Sequence, residues 1–172
     1  TAGQTVGEIA AAARLAKLRR GLDLIVIDYL QFVKPADARM PREQQVAAIS
    51  REIKNTAKQL DVPIVVLAQM SRDIEKREDK TPRMSDLRES GAIEQDADII
   101  MFLDRPGSWD KNADQSEASL IIRKFRNGNP GTVPLQWDGS CMLFQNAALG
   151  SQVGSDPFSG GGFTTWDPFR SD

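Results

Sequence analysis

The 172 residues, 40% of them apolar, with one cysteine and no histidine, allow one domain with a moderate core and exclude an internal disulfide, a cysteine-clustered metal centre and any histidine-dependent triad. A net charge of −2 gives no global support for nucleic-acid binding, which would have to come from local loops. No apolar run is long enough to span a membrane and no basic-then-apolar signal segment opens the chain, so a reducing, cytoplasmic setting is expected; the missing initiator Met fits a trimmed chain or a piece of a longer one.

The first predicted element is a helix over 5–20. Thr5 can cap it, with Glu8 as the reciprocal capping-box partner. Ile9, Ala12, Ala13, Ala16 and Leu15 are its expected apolar side, Lys17, Arg19 and Arg20 suit its C-terminal end, and Gly21 is a natural stop. Leu22 to Tyr29 follow as a strand, apolar almost throughout, as expected when helices cover both faces of a sheet. After a loop with Pro35, Pro41 opens a second helix. Its buried face is read from Val46, Ile49, Ile53, Ala57 and Leu60 at three- and four-residue spacing. Val62 to Ala68 form the next strand, and the strand–helix–strand run makes a parallel unit with a right-handed crossover.

The polar stretch 71–83 is expected to be a mobile loop. A helix is expected over 85–97, with a break near Gly91, then a strand over 98–103 and an exposed excursion over 104–115. From 116 to 146 the pattern is strand, turn, strand, turn, strand. Asn127-Gly128 and Pro130-Gly131 mark the first reversal, and Asp138-Gly139 marks the second. These read as antiparallel edge strands on a mainly parallel sheet, giving an α/β fold. The tail 147–172 is rich in Gly and Ser and is expected to lack fixed structure of its own. It carries two Asp-Pro-Phe triplets, Asp156-Pro157-Phe158 and Asp167-Pro168-Phe169, which can dock into a partner groove or serve as a linker or local cap.

Three groups of residues could carry chemistry. Asp28 and Gln69 each follow an apolar strand, so adjacent parallel strands would bring them to one sheet edge. A carboxylate there can hold the water shell of a magnesium ion beside phosphates. An uncharged amide there can sense a γ-phosphate, with Ser71 and Arg72 relaying its state to the loop. Each could also simply close its strand. Lys124 and Arg126 fall on one strand face by alternation, where two cations can reach a polyphosphate or lie solvated. In 71–97, Arg72, Lys76, Arg77, Lys80 and Arg83 are countered by Asp73, Glu75, Glu78 and Asp79. This is not a clean basic patch. Arg88 can contact a phosphate and the Ser90-Gly91 turn can expose backbone N–H groups, which favours backbone tracking over sequence reading. No G-x-x-x-x-G-K-[ST] loop occurs, so this chain does not itself supply a triphosphate cradle.

The stretches LDLIVIDYLQF, PREQQVAAISREIKNTAKQLDVPIVVLAQMSRDIEKREDKTPRMSDLRESGAIEQDADIIMFL and IIRKFRNGNPGTVPLQW resemble the C-terminal part of the RecA-like ATPase domain of bacterial replicative DNA helicases, the DnaB family. With the first helix the resemblance covers roughly residues 5–146. It implies a partial RecA-like P-loop NTPase fold without its Walker A segment, over 1–146, followed by the flexible tail.

On this resemblance Asp28 matches the Walker B aspartate, which organises magnesium through water, and Gln69 matches the glutamine linking γ-phosphate to the DNA loop. Lys124 and Arg126 match the basic pair that reaches the ATP of the adjacent subunit. Arg88, Glu89 and Gly91 match the loop that holds single-stranded DNA. The resemblance further implies ATP and Mg²⁺ as cofactors and a homo-hexameric ring that translocates on single-stranded DNA and unwinds duplex. Primase, a helicase loader and other replisome proteins are the implied partners at a bacterial or phage replication fork. With the Walker A loop and catalytic glutamate lying upstream in the family, the chain by itself is expected to be inactive. Two other readings are an inactive structural or partner-binding fragment and a strand-exchange ATPase of the same broad fold. In the partial fold, apolar sheet surface should stand exposed unless another chain covers it.

Overall fold

Helix α1, Val6–Arg20, is closed at its start by the expected capping box. The Thr5 backbone N–H donates to Glu8 Oε2 at 2.7 Å and the Glu8 N–H donates to Thr5 Oγ1 at 3.3 Å. It stops at Gly21, whose φ of +78° suits a residue without a Cβ. The computed structural model describes residues 3–87 and 90–147. These form two compact units, one running to Ala97 and one beginning at Asp98.

In the first unit α1 is followed by strand β1, Ile25–Ile27, helix α2, Arg42–Leu60, and strand β2, Ile64–Val66. The strands pair in parallel with Ile25 opposite Ile64, Val26 opposite Val65 and Ile27 opposite Val66. Both are shorter than the predicted runs, because only these three levels keep the ladder; beyond them the backbone is held by single bonds such as Leu67 N–H to Ile27 O, 2.9 Å. Helix α2 buries Val46, Ile49, Ile53, Thr56 and Leu60, so Thr56 takes the place expected of the half-buried Ala57. Pro41 sits one residue earlier than expected, as the cap, and Asp61 closes the helix in the left-handed region.

Val6, Ile27, Leu30, Val33, Val46, Ile49 and Ile53 make the main core cluster. The face of α1 differs from the expected one: Val6, Ala10 and Ala13 are buried, while Ala12, Leu15 and Ala16 are exposed and Leu18 is 85% exposed. The run Ala10–Ala13 gives every side of the helix an apolar position, so spacing alone cannot choose among them.

One face of the parallel pair packs on this core. Leu24, Val26, Val65 and Leu67 on the other face are exposed, Val26 by 59%. A strand pair apolar on both faces, covered on only one among the described residues, is what a partial fold is expected to show.

The stretch 71–87 folds as two short 3₁₀ turns, Arg72–Lys76 and Met84–Asp86, not as an open loop. The Met84–Asp86 turn occupies the start of the helix expected over 85–97, and helix α3 runs Ser90–Asp96.

The second unit is a four-stranded antiparallel sheet in the order β3-β4-β5-β6: Ile99–Asp104, Glu117–Phe125, Gly131–Asp138 and Leu143–Asn146. The turns fall where Asn127-Gly128 and Asp138-Gly139 place them. The α/β class holds, with β1 and β2 forming a separate two-stranded parallel sheet and β3 partnered by antiparallel β4. Ile100 and Phe102 are buried, while Ile99, Met101 and Leu103 stand exposed. Of the tail, only Ala147 is described; both Asp-Pro-Phe triplets lie outside the described residues.

Candidate functional site

Asp28 is the first residue past β1, and Leu67 is bonded on either side of it. The Leu67 N–H donates to Ile27 O at 2.9 Å, and the Leu30 N–H donates to Leu67 O at 2.8 Å. Gln69 lies two residues farther along the same edge. The parallel register thus brings the two expected residues to the C-terminal end of one strand pair. Both are exposed, and neither side chain has a hydrogen-bond partner among the described residues. Nearby, Gln31 Oε1 is buried without a partner among the described residues, and Tyr29 packs against Phe32 with ring centroids 4.1 Å apart and the planes tilted by 40°. A polar edge on an apolar strand pair can receive a charged ligand without breaking any internal bond.

Beyond Gln69 the chain is tied to the segment preceding Arg88. Met70 and Leu87 form an antiparallel bridge, and the Ser71 N–H donates to Asp86 O at 2.7 Å. Asp86 is 5% exposed. Its Oδ2 accepts from Arg77 Nη2 and from the Arg83 backbone N–H, each at 2.8 Å. Arg77 Nη2 also donates to Thr81 O at 3.1 Å, and Pro82 is fully buried.

This Arg77–Asp86 clamp was not legible in sequence, where Arg77 counts only as one cation among five. Two other cations are also committed, Lys76 to Asp73 at 2.7 Å and Arg83 to Asp79 at 2.6 Å; their i,i+3 and i,i+4 spacings were available signals. Hydrogen bonds from Thr81, and then from Arg83, hold the Asp79 carboxyl well below its ordinary range. The Asp73 carboxylate raises Lys76 above the usual ammonium value.

Arg88 and Glu89 lie outside the described residues. Gly91 is exposed in the first turn of α3, not in the turn expected at Ser90-Gly91, with open space where a Cβ would stand.

In the second unit, Lys124 faces Ile100 across the β3–β4 ladder. The register slips between Ile100 and Met101, leaving Arg123 as the extra residue of β4. A bulge of this kind bends a strand and re-aims the residues after it. It separates the buried Ile121 and Ile122 from the half-buried Lys124 and the exposed Arg126. The Arg126 N–H continues the pairing by donating to Asp98 O at 2.8 Å, and its guanidinium stands 3.4 Å from Asp98 Oδ1. Both partners are exposed, so this ion pair is weak and can be exchanged for another anion.

Comparison with known proteins gives a consistent result. The sequence pattern described as "DnaB-like helicase C terminal domain" matches residues 1–146. The chain is 48% identical over 148 residues to the replicative DNA helicase DnaC of Bacillus subtilis (strain 168), covering 85% of this chain and 33% of that protein. It is 47% identical over 143 residues to the replicative DNA helicase DnaB of Geobacillus stearothermophilus, covering 82% and 32%. The chain therefore spans about a third of the length of these relatives. Among solved structures, it superposes on an "ATPase Domain" with a TM-score of 0.81 and 43% identity, covering 84% of this chain and 52% of that one. It also matches "The Structure Of A DnaB-Like Replicative Helicase And Its Interactions With Primase", with a TM-score of 0.82 and 43% identity over 86% and 37%.

Proposed function

Because this chain belongs to the DnaB-like helicase C-terminal domain family, we propose that it supplies the nucleotide-sensing and DNA-coupling part of an ATP-dependent replicative helicase, one that translocates on single-stranded DNA and unwinds duplex. The observation that carries this reading is the short path from Gln69 to Arg88. Gln69 precedes Met70, Met70 bridges Leu87, and Leu87 precedes Arg88. A shift at the sheet edge thus has a hydrogen-bonded route to the residues expected to hold the DNA backbone.

The described residues fit a nucleotide with its magnesium ion at this edge. Asp28 is one unpaired carboxylate, which suits an ion that keeps most of its waters and takes the rest of its ligands from phosphates. Bound there, the ion would neutralise charge developing on the phosphates. Gln69 would donate one amide N–H hydrogen bond to the terminal phosphate without adding charge. Lys124 and Arg126, re-aimed by the bulge at Arg123, would be offered to the ATP of a neighbouring subunit in a homo-hexamer, where a cation stabilises transition-state charge. Arg88, Glu89 and Gly91 would hold the single strand. Primase, a loader and other replisome proteins are the partners this role calls for. The exposed Val26, Val65 and Leu67 and the absent phosphate cradle support an isolated chain that does not hydrolyse ATP.

The test is a chimera in which residues 1–146 replace the matching segment of the Bacillus subtilis relative. It should hydrolyse ATP with single-strand stimulation, while the 172-residue chain alone should not. In the chimera, Gln69→Ala should keep nucleotide and DNA binding but lose stimulation. Stimulation surviving Gln69→Ala would overturn the coupling role; a folded, ring-forming chimera without any hydrolysis would overturn the helicase reading.

A further inference from the structure

The second unit contains a cleft of about 530 Å³ lined by residues that the proposed reaction does not use, among them Arg105, Gln115, Gln136, Trp137 and Gln145. Arg105 lies with its guanidinium carbon 4.1 Å from the centre of the Trp137 ring, a favourable cation–π placement. Its Nε is buried without a partner, and among the described residues its side chain has no ion pair. An unpaired guanidinium against an indole is an incomplete arrangement, because a planar fork of donors matches a carboxylate. The carboxylate already at the rim, Asp138, is spent on its own turn: its Oδ1 accepts from the Ser140 N–H at 2.9 Å and from Ser140 Oγ at 2.6 Å. Gln136 and Gln145 face each other across β5 and β6, on the sheet face opposite to Trp137 by alternation, so Arg105 and Trp137 are the groups that carry the site. Phe144 stands beside Trp137, ring centroids 4.6 Å apart.

The wanted ligand is therefore a peptide carboxylate next to an aromatic side chain. The sequence holds two such pieces, Asp156-Pro157-Phe158 and Asp167-Pro168-Phe169. We infer that one Asp-Pro-Phe triplet docks into the Arg105–Trp137 cleft of its own chain, its carboxylate on Arg105 and its ring against Trp137. The proline suits such a site because it brings no backbone N–H to be satisfied. Delivery is direct. Strand β6, which carries Gln145, ends at Asn146, and the ten residues to Asp156 reach at most about 35 Å. A tether of this length gives an effective concentration on the order of millimolar, so even a weak site would be occupied, and the second triplet adds a further, more distantly tethered copy of the same ligand. This inference does not depend on the helicase reading.

Cys141, the single cysteine of the sequence, is exposed in the turn between β5 and β6. It takes a nitroxide spin label in the full 172-residue chain, and broadening of backbone NMR signals then reports proximity. At least one triplet should be broadened more than Gly160–Gly162 between them. The excess should vanish in Arg105→Gln and in the Asp156→Asn, Asp167→Asn double variant. The double variant alters only the tail and decides the matter if Arg105→Gln fails to fold. Equal broadening of triplets and glycines, or an excess that persists in the double variant, would overturn the inference. Broadening seen only between labelled and isotope-enriched chains in a mixture would overturn its intramolecular form.

Discussion

The Ser71 N–H donates to the carbonyl of Asp86 at 2.7 Å, joining the exit of β2 to the segment that leads to Arg88. Asp86 thereby has two tasks. Its carbonyl receives Ser71, and its carboxylate gathers Arg77 and the Arg83 backbone.

Asp86→Ala should destabilise the chain by about 3 kcal/mol, since removing one partner of a largely buried ion pair leaves the other uncompensated. Urea unfolding of the purified variant measures this. In the chimera the same change should uncouple DNA stimulation from basal hydrolysis, because it loosens the bond that holds Ser71 to the DNA-facing segment. A variant as stable as wild type would show that the clamp carries little of the fold.

Asp28 and Arg126 should fail differently. Asp28→Asn in the chimera should impair hydrolysis more than ring assembly, and the defect should stay with the subunit that carries it. Arg126→Ala should be inactive alone yet regain activity when mixed with subunits defective only in their own nucleotide pocket. ATPase assays on mixed rings distinguish the two patterns, and an absence of complementation by Arg126→Ala would count against action across a subunit boundary.

Gly128→Ala should disturb the turn that comes after Arg126. A Cβ at position 128 would lie 2.6 Å from Cδ1 and Cε1 of Phe125, so the ring must move out of its place at the end of β4. The expected cost is about 1–3 kcal/mol, as for other overpacking changes, read from denaturant unfolding. Gly91→Ala is the control, because a Cβ there meets nothing within 4 Å.

Acid should weaken the fold through several surface carboxylates. The Thr5 backbone and then its hydroxyl lower the pKa of Glu8. The hydroxyls and then the backbones of Ser116 and Ser140 lower Asp114 and Asp138, and Thr81 lowers Asp79. A carboxyl with a depressed folded-state pKa contributes stability that is fully present above its unfolded value, near about pH 4, and is lost as pH falls through the folded value. Urea midpoints should therefore hold steady from about pH 7 to 5 and drop toward pH 3. Ser140→Ala should shallow the drop by removing the hydroxyl bond to Asp138. A midpoint independent of pH across this range would contradict these hydrogen bonds.

Much of this was legible from local chemistry. Thr5 with Glu8, Gly21, the Val46–Ile49–Ile53–Leu60 spacing and the Asn-Gly and Asp-Gly turns each act within a few residues, so the sequence displays them. Asp28 and Gln69 could be placed at one edge because parallel pairing aligns the ends of successive strands. What stayed hidden depends on distant partners. Whether Ala10 or Ala12 faces inward is decided by the elements packed against the helix, α2 among them. The Met84–Asp86 turn, where a helix is expected to begin, is held by the bond from Arg77, nine residues before Asp86. The slip at Arg123 is set by β3, and no local pattern in LIIRKF marks it.

The exposed row Ile99, Met101 and Leu103 has a consequence for handling the protein. Salts excluded from protein surfaces strengthen apolar association. A chain whose strand shows water three large side chains in alternation should accordingly salt out early and keep best when dilute. Ammonium sulfate fractionation should therefore bring it down at low saturation.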